Sequence, residues 1–308
     1  MAWLFGNRHS KSTAATAVAT KEREGKRRFF WLGERRHLAN APYVLPSDER
    51  EISRLDFQHY MLRYALRGNY ASPIQHPTSI LDVGSGTGRW AMEIAQLFPY
   101  ANVIGTDLVE PKTESVNASL GNGLERRPEN HAFVQANVME GLPFADNSFD
   151  YVHMRLLLFA IPHTSWPAVT RELLRVTRPG GWVESVETGP QQDGGRAMDK
   201  IVAWITEASM RRGVDPLLGP RVAQFFADAG LRNMVTRELR LPVGAYGGRL
   251  GTMAAADVFG VISGVKPMVV AQGITDAASY DAAMAQARED LDRVRCTLPF
   301  YIAFGQKG

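Results

Sequence analysis

The feature that most constrains this chain is an apolar run that ends in three alternating glycines. Residues 79–88 read SILDVGSGTG, and apolar residues at helical spacing follow over residues 90–98. Glycine allows positive φ angles and lets a ligand approach the backbone closely. The first turn of a helix adds free N–H groups and the positive end of the helix dipole. The pattern therefore predicts a strand, a tight turn and a helix that together bind a nucleotide.

The spacing of the glycines argues against two common nucleotide-binding motifs. In a dinucleotide-binding loop the third glycine falls where this chain has Arg89. A phosphate-binding loop ends in Lys followed by Ser or Thr, and no such pair follows Gly88. A nicotinamide-dependent oxidoreductase therefore stays as a disfavoured alternative.

Polar residues also end the next predicted strands. The second strand, residues 102–107, ends in Asp107, whose carboxylate can accept both ribose hydroxyls of an adenosine. The third strand, residues 133–137, ends in Asn137. Because ligands bind at the carboxyl ends of parallel strands, both side chains are expected to face one crevice.

The whole set resembles the class I S-adenosylmethionine-dependent methyltransferases. The match rests on D-x-G-x-G-x-G at residues 82–88, LPFADNSFD at 142–150 and RPGG at 178–181. The resemblance implies an α/β, Rossmann-like fold with a seven-stranded, mostly parallel sheet in the order 3-2-1-4-5-7-6 and helices on both faces. It also implies S-adenosyl-L-methionine as the cofactor and S-adenosyl-L-homocysteine as its product.

The resemblance further implies which residues bind the cofactor. The glycine loop is expected to line the methionine and ribose parts, Asn137 and Val138 the adenine, and Arg155 a carboxylate of the cofactor or of an acidic substrate. The departure at Asn137, where this family often has Asp, still leaves an amide oxygen that accepts a hydrogen bond. The predicted cofactor-binding residues are Tyr43, Asp82, Gly84, Gly86, Gly88, Asp107, Leu108, Asn137, Val138, Met154 and Arg155.

Catalytic residues follow less directly from the sequence. An oxygen or nitrogen acceptor often needs a general base with a pKa near neutral. His163, in the loop after the fourth strand, and Glu187, at the end of the fifth, are the candidates. A carbon acceptor such as an alkene needs no base for the attack itself. The single Cys296 speaks against a cysteine metal cluster, and no metal site is expected.

The chain extends well beyond the family motifs at both ends. Residues 1–45 are expected to form an extension that is partly mobile or contacts a second copy, and Ser47 is expected to cap a helix. Residues 46–243 and 298–308 form the predicted core. Residues 244–297 lie between strands six and seven and are expected to form a helical lid over the substrate pocket.

Composition narrows the class of protein and its location. The 308 residues include 22% charged residues, and no apolar run reaches the 18 residues of a membrane span. Residues 1–70 contain 13 Lys and Arg against 7 Asp and Glu, so the basic excess precedes the predicted fold. We expect a cytoplasmic homo-oligomer, joined through its extension, with no nucleic-acid or membrane partner.

A narrower resemblance concerns the segment before the glycine loop. LPSDE at residues 45–49 and QH at 58–59 are similar to a group of methyltransferase-fold proteins of fungal and bacterial secondary metabolism. That group includes LaeA-like regulators and the carbon methyltransferase of teleocidin biosynthesis. It implies O- or C-methylation of a natural-product intermediate, a prenyl chain included, or alternatively a regulator that acts through protein partners.

Overall fold

The computed structural model describes residues 29–39, 41–110, 127–291 and 293–308. The strands in these ranges are β1 (Phe29–Leu32), β2 (Arg35–Leu38), β3 (Ser79–Val83), β4 (Asn102–Asp107), β5 (His131–Gln135), β6 (Phe149–Arg155), β7 (Thr177–Thr188), β8 (Leu231–Pro242) and β9 (Thr297–Lys307). The α-helices are α1 (Glu49–Leu66), α2 (Arg89–Leu97), α3 (Trp166–Val176), α4 (Gly195–Met210), α5 (Val222–Asp228), α6 (Gly248–Ala271) and α7 (Ala277–Asp290). The expectations for residues 1–28 lie outside the described residues.

Seven of the described strands form one mixed sheet. Its order is β5-β4-β3-β6-β7-β9-β8, which is the predicted order 3-2-1-4-5-7-6 when counting starts at β3. The strands β5, β4, β3, β6 and β7 run parallel, and β9 pairs antiparallel with both β7 and β8. The predicted sheet topology is confirmed.

Helices cover both faces of this sheet, and alternation along each strand assigns the side chains. Leu81, Val152 and Met154 point to one face, where they pack with residues of α3 and α5 such as Trp166. Ile80 points to the opposite face and packs with residues of α2. Burial on both faces explains the continuous apolar runs of these strands.

The segment before the sheet contains a hairpin that the sequence did not predict, followed by the expected helix. Its described part first forms a β1–β2 hairpin, and α1 then begins at Glu49. The expectation that Ser47 caps this helix is wrong, because the Asp48 side chain accepts the N–H of Glu51 at 3.1 Å. Asp48 also receives the Arg35 Nε–H at 2.6 Å, so one carboxylate joins the hairpin to the helix.

The insertion between β8 and β9 contains α6 and α7, and a buried charge cluster fastens it to α1. Arg54 Nη1 donates to Asp257 Oδ1 at 2.7 Å, and Gln58 Nε2 donates to Asp257 Oδ2 at 2.9 Å. Arg54 also pairs with Glu51. This cluster fixes the insertion over the carboxyl end of the sheet.

The helix α6 is long and apolar enough to cross a bilayer by length and composition alone. The span Ala245–Ala271 reaches a hydropathy of 1.5, and half of its most apolar window is buried inside the protein. Val258, Ile262 and Val265 pack into the core with residues of α4 and β9. A core helix passes the same test, and these contacts give α6 the environment of one.

Replacing Asp257 with Ala is expected to lower the free energy of unfolding by about 3 kcal/mol, because it leaves buried donors of Arg54 and Gln58 without an acceptor. The matched control is Asp281→Ala, which removes the more exposed Lys266–Asp281 pair and should cost less than about 0.5 kcal/mol. Urea denaturation of both variants measures the difference, and equal losses would contradict the role assigned to the cluster.

Candidate functional site

A cavity of about 930 Å³ lies at the carboxyl ends of the parallel strands. It is bounded by the glycine loop after β3, the ends of β4, β5 and β6, the helix α1 and the β1–β2 hairpin. This is the edge at which ligands bind in parallel α/β sheets. We call it the donor cavity.

The glycine loop has the backbone that its sequence predicts. Gly84, Gly86 and Gly88 have φ angles of 69°, 56° and 77°, a region that other residues rarely adopt. A Cβ built on Gly84 would lie 2.5 Å from Cδ2 of Leu157, so the turn after β6 packs directly against the loop. Only glycine fits that contact without a shift of the neighbouring turn.

The Asp107 carboxylate holds the same loop from β4. Its Oδ2 accepts the Gly86 N–H at 2.8 Å and its Oδ1 accepts the Leu108 N–H at 2.6 Å. Burial raises the pKa of Asp107, while these N–H groups and that of Val109 act in the opposite direction. These three N–H groups occupy three of the roughly four lone pairs of the carboxylate, so it can still accept a ligand hydroxyl.

Asn137 and Val138 line the donor cavity beyond β5, as predicted for an adenine site. The Asn137 amide is held locally, because Oδ1 accepts the Met139 N–H at 3.1 Å and Nδ2 donates to Glu140 at 2.8 Å. The oxygen retains one lone pair for a ligand amino group.

Asp82 takes part in a buried pair. Its Oδ1 lies 2.8 Å from Nδ1 of His153, which is the residue beside it on β6. The His153 ring stacks on Trp90 with centroids 3.7 Å apart and planes 4° apart. The motif carboxylate therefore orients an imidazole at the floor of the donor cavity.

The end of β6 corrects one sequence-based expectation. Arg155 lines the donor cavity, but the Met154 side chain is fully buried in the core with α3. Successive strand residues face opposite sides of the sheet, and Met154 takes the side that packs against α3. The cofactor contact expected of the Met154 side chain is therefore wrong.

A second, smaller cavity of about 90 Å³ adjoins the first. Both cavities are lined by Tyr43, Leu55, Gln58 and Leu156, which form the boundary between them. Its other walls are mostly apolar and come from α4, α6, β9 and the turn after β6. We call it the acceptor cavity.

Glu187 is a buried carboxyl in the wall of the acceptor cavity. Its Oε1 accepts the Leu157 N–H at 2.9 Å and its Oε2 accepts the Leu158 N–H at 3.3 Å. Burial raises the pKa of Glu187 to about 8. A carboxyl with this pKa can exchange a proton near neutral pH, and the catalytic role of Glu187 stays a prediction.

His163 is placed away from both cavities. Its ring is exposed, and Nδ1 lies 2.8 Å from the carbonyl oxygen of Gly213. The residue lines neither cavity. The expectation that His163 acts as the base is therefore wrong, because the loop after β6 turns toward Gly213 before it reaches this residue.

Sequence reasoning missed the part of the site contributed by α1. Leu55, Gln58 and His59 all line the donor cavity. Their helical spacing predicts one shared face, but an apolar stripe with a histidine is also typical of a packed core helix. Only the position of α1 over the sheet shows whether this face lines a site or packs into the core.

An adenosyl donor fits these residues. Asp107 offers a free acceptor for a ribose hydroxyl, and Arg155 offers a guanidinium for a carboxylate. A Cβ built on Gly86 would meet no atom nearer than 3.9 Å, so a ligand can approach the backbone there. Among the described residues, no group of three or more His, Cys, Asp or Glu side chains has the arrangement of a metal site.

Comparison with known proteins agrees with this geometry. Residues 80–181 match the family model of a methyltransferase domain. The chain therefore carries a methyltransferase domain, as its resemblance to the class I S-adenosylmethionine-dependent methyltransferases implied. It is 29% identical over 271 residues to "Methyltransferase str2" of Strobilurus tenacellus, a match that covers 82% of this chain and 91% of str2.

Two further similarities are lower in coverage or in identity. The secondary metabolism regulator LaeA of Aspergillus fumigatus is 33% identical over 150 residues, which are 47% of this chain and 36% of LaeA. The solved structure of YcgJ from Bacillus subtilis aligns with a TM-score of 0.49 at 17% identity and covers 82% of this chain and 99% of YcgJ.

Gly84→Ala is expected to weaken binding of S-adenosylhomocysteine at least about tenfold, because the new Cβ displaces Leu157 and the loop with it. Gly180→Ala is the matched control, since Gly180 also has a positive φ of 78° but would meet no atom within 4 Å. It should cost about 1–2 kcal/mol of stability and leave binding unchanged. Calorimetric titration of both variants with S-adenosylhomocysteine measures the two affinities. Equal affinities would contradict the importance of the contact between Gly84 and Leu157.

The stability of the protein is expected to fall between pH 4.5 and about 8 because of Glu187. Its native pKa of about 8 exceeds the ordinary 4.5, so the native state retains a proton that the unfolded chain has released. The free energy of unfolding should therefore decrease by up to about 1.4 kcal/mol per pH unit in this window. Urea denaturation at several pH values should show a smaller slope for Glu187→Gln, and an unchanged slope would contradict the assignment.

Proposed function

We propose that the protein transfers a methyl group from S-adenosylmethionine to a small, largely apolar organic acceptor, such as a natural-product intermediate. The observation that carries this proposal is the junction of the two cavities at Tyr43, Leu55, Gln58 and Leu156. The donor cavity matches an adenosyl ligand, and the acceptor cavity that adjoins it has mostly apolar walls. A nucleic acid would not fit a cavity of about 90 Å³ closed by α6.

In this reaction the protein chiefly positions the two reactants and excludes water from them. The bound sulfonium supplies an activated methyl group, so no covalent intermediate with the chain is needed. Asp107 and the glycine loop hold one end of the ligand, and the boundary residues direct the other reactant toward the junction. Such alignment can contribute about 7–11 kcal/mol to lowering the barrier.

Glu187 is the proposed proton acceptor for a hydroxyl substrate. Its two oxygens are oriented by the N–H groups of Leu157 and Leu158, and each keeps a free lone pair. The acceptor's O–H proton would move to a Glu187 oxygen as the oxygen forms its new bond to the methyl carbon. The S–CH₃ bond would break at the same time, and its electron pair would stay on the sulfur of the S-adenosylhomocysteine that leaves. A pKa of about 8 suits a base that works near neutral pH.

The similarity to str2 supports an enzymatic role, since the chain spans most of that protein. The similarity to LaeA supports a second candidate, a regulatory protein that uses the same fold to bind protein partners. The acceptor cavity favours the enzyme, because a regulator that acts through its surface has no need of it. We also propose that the protein is cytoplasmic and forms a homo-oligomer. Cell fractionation tests the first proposal, and light scattering tests the second.

Binding of S-adenosylhomocysteine to the purified protein is the first test. Asp107→Ala should weaken binding about 30-fold or more, because it removes the acceptors for the ribose and for the loop. Asp228→Ala is the control, since Asp228 is an exposed residue of α5 that bonds only Gln224 in the described structure. Absence of binding to the unaltered protein would contradict the proposal.

Methyl transfer itself is tested with isotopically labelled S-adenosylmethionine and a panel of apolar phenols, enols and prenylated compounds. Label in a small product that Glu187→Gln abolishes supports the enzyme. Label only in a co-purified protein, or none together with stable protein partners, supports the regulatory candidate.

A further inference from the structure

Arg155 presents an unusually available positive charge to the donor cavity. Among the described residues its guanidinium makes one hydrogen bond, from Nη2 to Nδ1 of His59 at 3.2 Å, and no carboxylate forms an ion pair with it. The other nitrogen atoms of the guanidinium are not among the fully buried polar atoms that lack a partner. Because Arg155 also lines the donor cavity, these atoms are exposed to it. An arginine in this state can bind an anionic ligand group with two parallel hydrogen bonds.

The acids around Arg155 have other partners. Four acidic side chains lie near enough to favour the charge of Arg155, and each is hydrogen-bonded to other residues. Asp82 bonds with His153, Glu93 with Arg63 and Asn69, Glu184 with Ala71 and Ser72, and Glu187 with Leu157 and Leu158. Burial lowers the pKa of Arg155, and these acids act in the opposite direction, so they favour its charge without occupying its hydrogen-bond donors.

The contact with His59 fixes the state of that ring. A guanidinium has only donors, so Nδ1 of His59 must present its lone pair to Arg155. The ring proton then lies on Nε2, which is 3.2 Å from Oε2 of Glu93. Burial lowers the pKa of His59, so the ring is neutral at physiological pH. Glu93, His59 and Arg155 thus follow one another from α2 through α1 to the end of β6, with an electrostatic contact at the first step and a hydrogen bond at the second.

We propose that His59 is a positioning residue that aims Arg155 at the carboxylate of the methionyl end of the cofactor. The inference rests on the proposed function. The strands β4 and β6 lie on opposite sides of β3, so Asp107 and Arg155 stand on opposite sides of the glycine loop. A ligand whose ribose is held at Asp107 therefore extends its other end toward Arg155.

The experiment compares two ligands that differ only at the methionyl end. S-adenosylhomocysteine carries the carboxylate, whereas 5′-methylthioadenosine lacks both the carboxylate and the amine. Arg155→Ala should weaken binding of the first about 10- to 100-fold and of the second less than about twofold. His59→Leu should show the same selectivity with a loss of about tenfold.

His59→Asn tests positioning against mere packing. The Asn carbonyl oxygen can accept a hydrogen bond near the place of Nδ1, so this variant should recover much of the affinity for S-adenosylhomocysteine. If His59→Leu does not fold, as judged by its thermal transition, Glu93→Gln replaces it. The neutral amide removes the negative charge that favours a proton on Nε2, so a smaller loss with the same selectivity is expected.

The outcomes separate this inference from the proposed function. If the unaltered protein binds neither ligand, the proposed function fails. If it binds both, and the His59 variants weaken both equally or neither, the positioning role is overturned while the proposed function stands. If Arg155→Ala leaves S-adenosylhomocysteine binding unchanged, Arg155 does not bind the methionyl carboxylate and the inference is overturned.

Discussion

The carboxyl of Glu187 holds the turn after β6, and that turn holds the glycine loop. Glu187 accepts the N–H groups of Leu157 and Leu158, and the Leu157 side chain packs against Gly84 so closely that a methyl group would not fit. Leu156, the first residue of the turn, has a φ of 58° and lies at the boundary of the two cavities. The donor and acceptor cavities are thus shaped by a single packed unit.

The helix α1 makes the second connection on which the site depends. Through Arg54 and Gln58 it is fastened to the insertion helix α6, and through His59 it contacts both Glu93 of α2 and Arg155 of β6. Buried charges contribute little net stability, because desolvation offsets most of their attraction. Their directional contacts nevertheless permit few relative positions of the helices, and the site requires a fixed arrangement.

Much of the fold followed from local patterns. The strand β4 was predicted with the bounds that the structure shows, because it combines an apolar run with an acidic residue at its end. The β1–β2 hairpin was not predicted. Its ladder and the Arg35–Asp48 pair join residues that no local period connects.

The residues of the candidate site were likewise predictable only in part. The residues of the glycine loop, Asp107 and Asn137 were found from the sequence, since they follow directly after strands whose carboxyl ends must meet at one edge. His163 was misplaced because a loop's path depends on its contacts, here with the Gly213 carbonyl. The roles of Leu55, Gln58 and His59 were missed because they depend on where a separate helix docks.

The sequence by itself therefore indicated the parallel strands and the glycine loop at their carboxyl ends, because a period of apolar residues and the freedom of glycine act over a few neighbouring positions. The order of the sheet followed from the family resemblance. Only the tertiary structure decided which buried polar groups meet. The pairs Asp82–His153, Arg155–His59 and Arg54–Asp257 join residues 71, 96 and 203 positions apart. Their partners are selected by the burial of whole helices, since a polar group taken from water is stable only where a complementary group already lies.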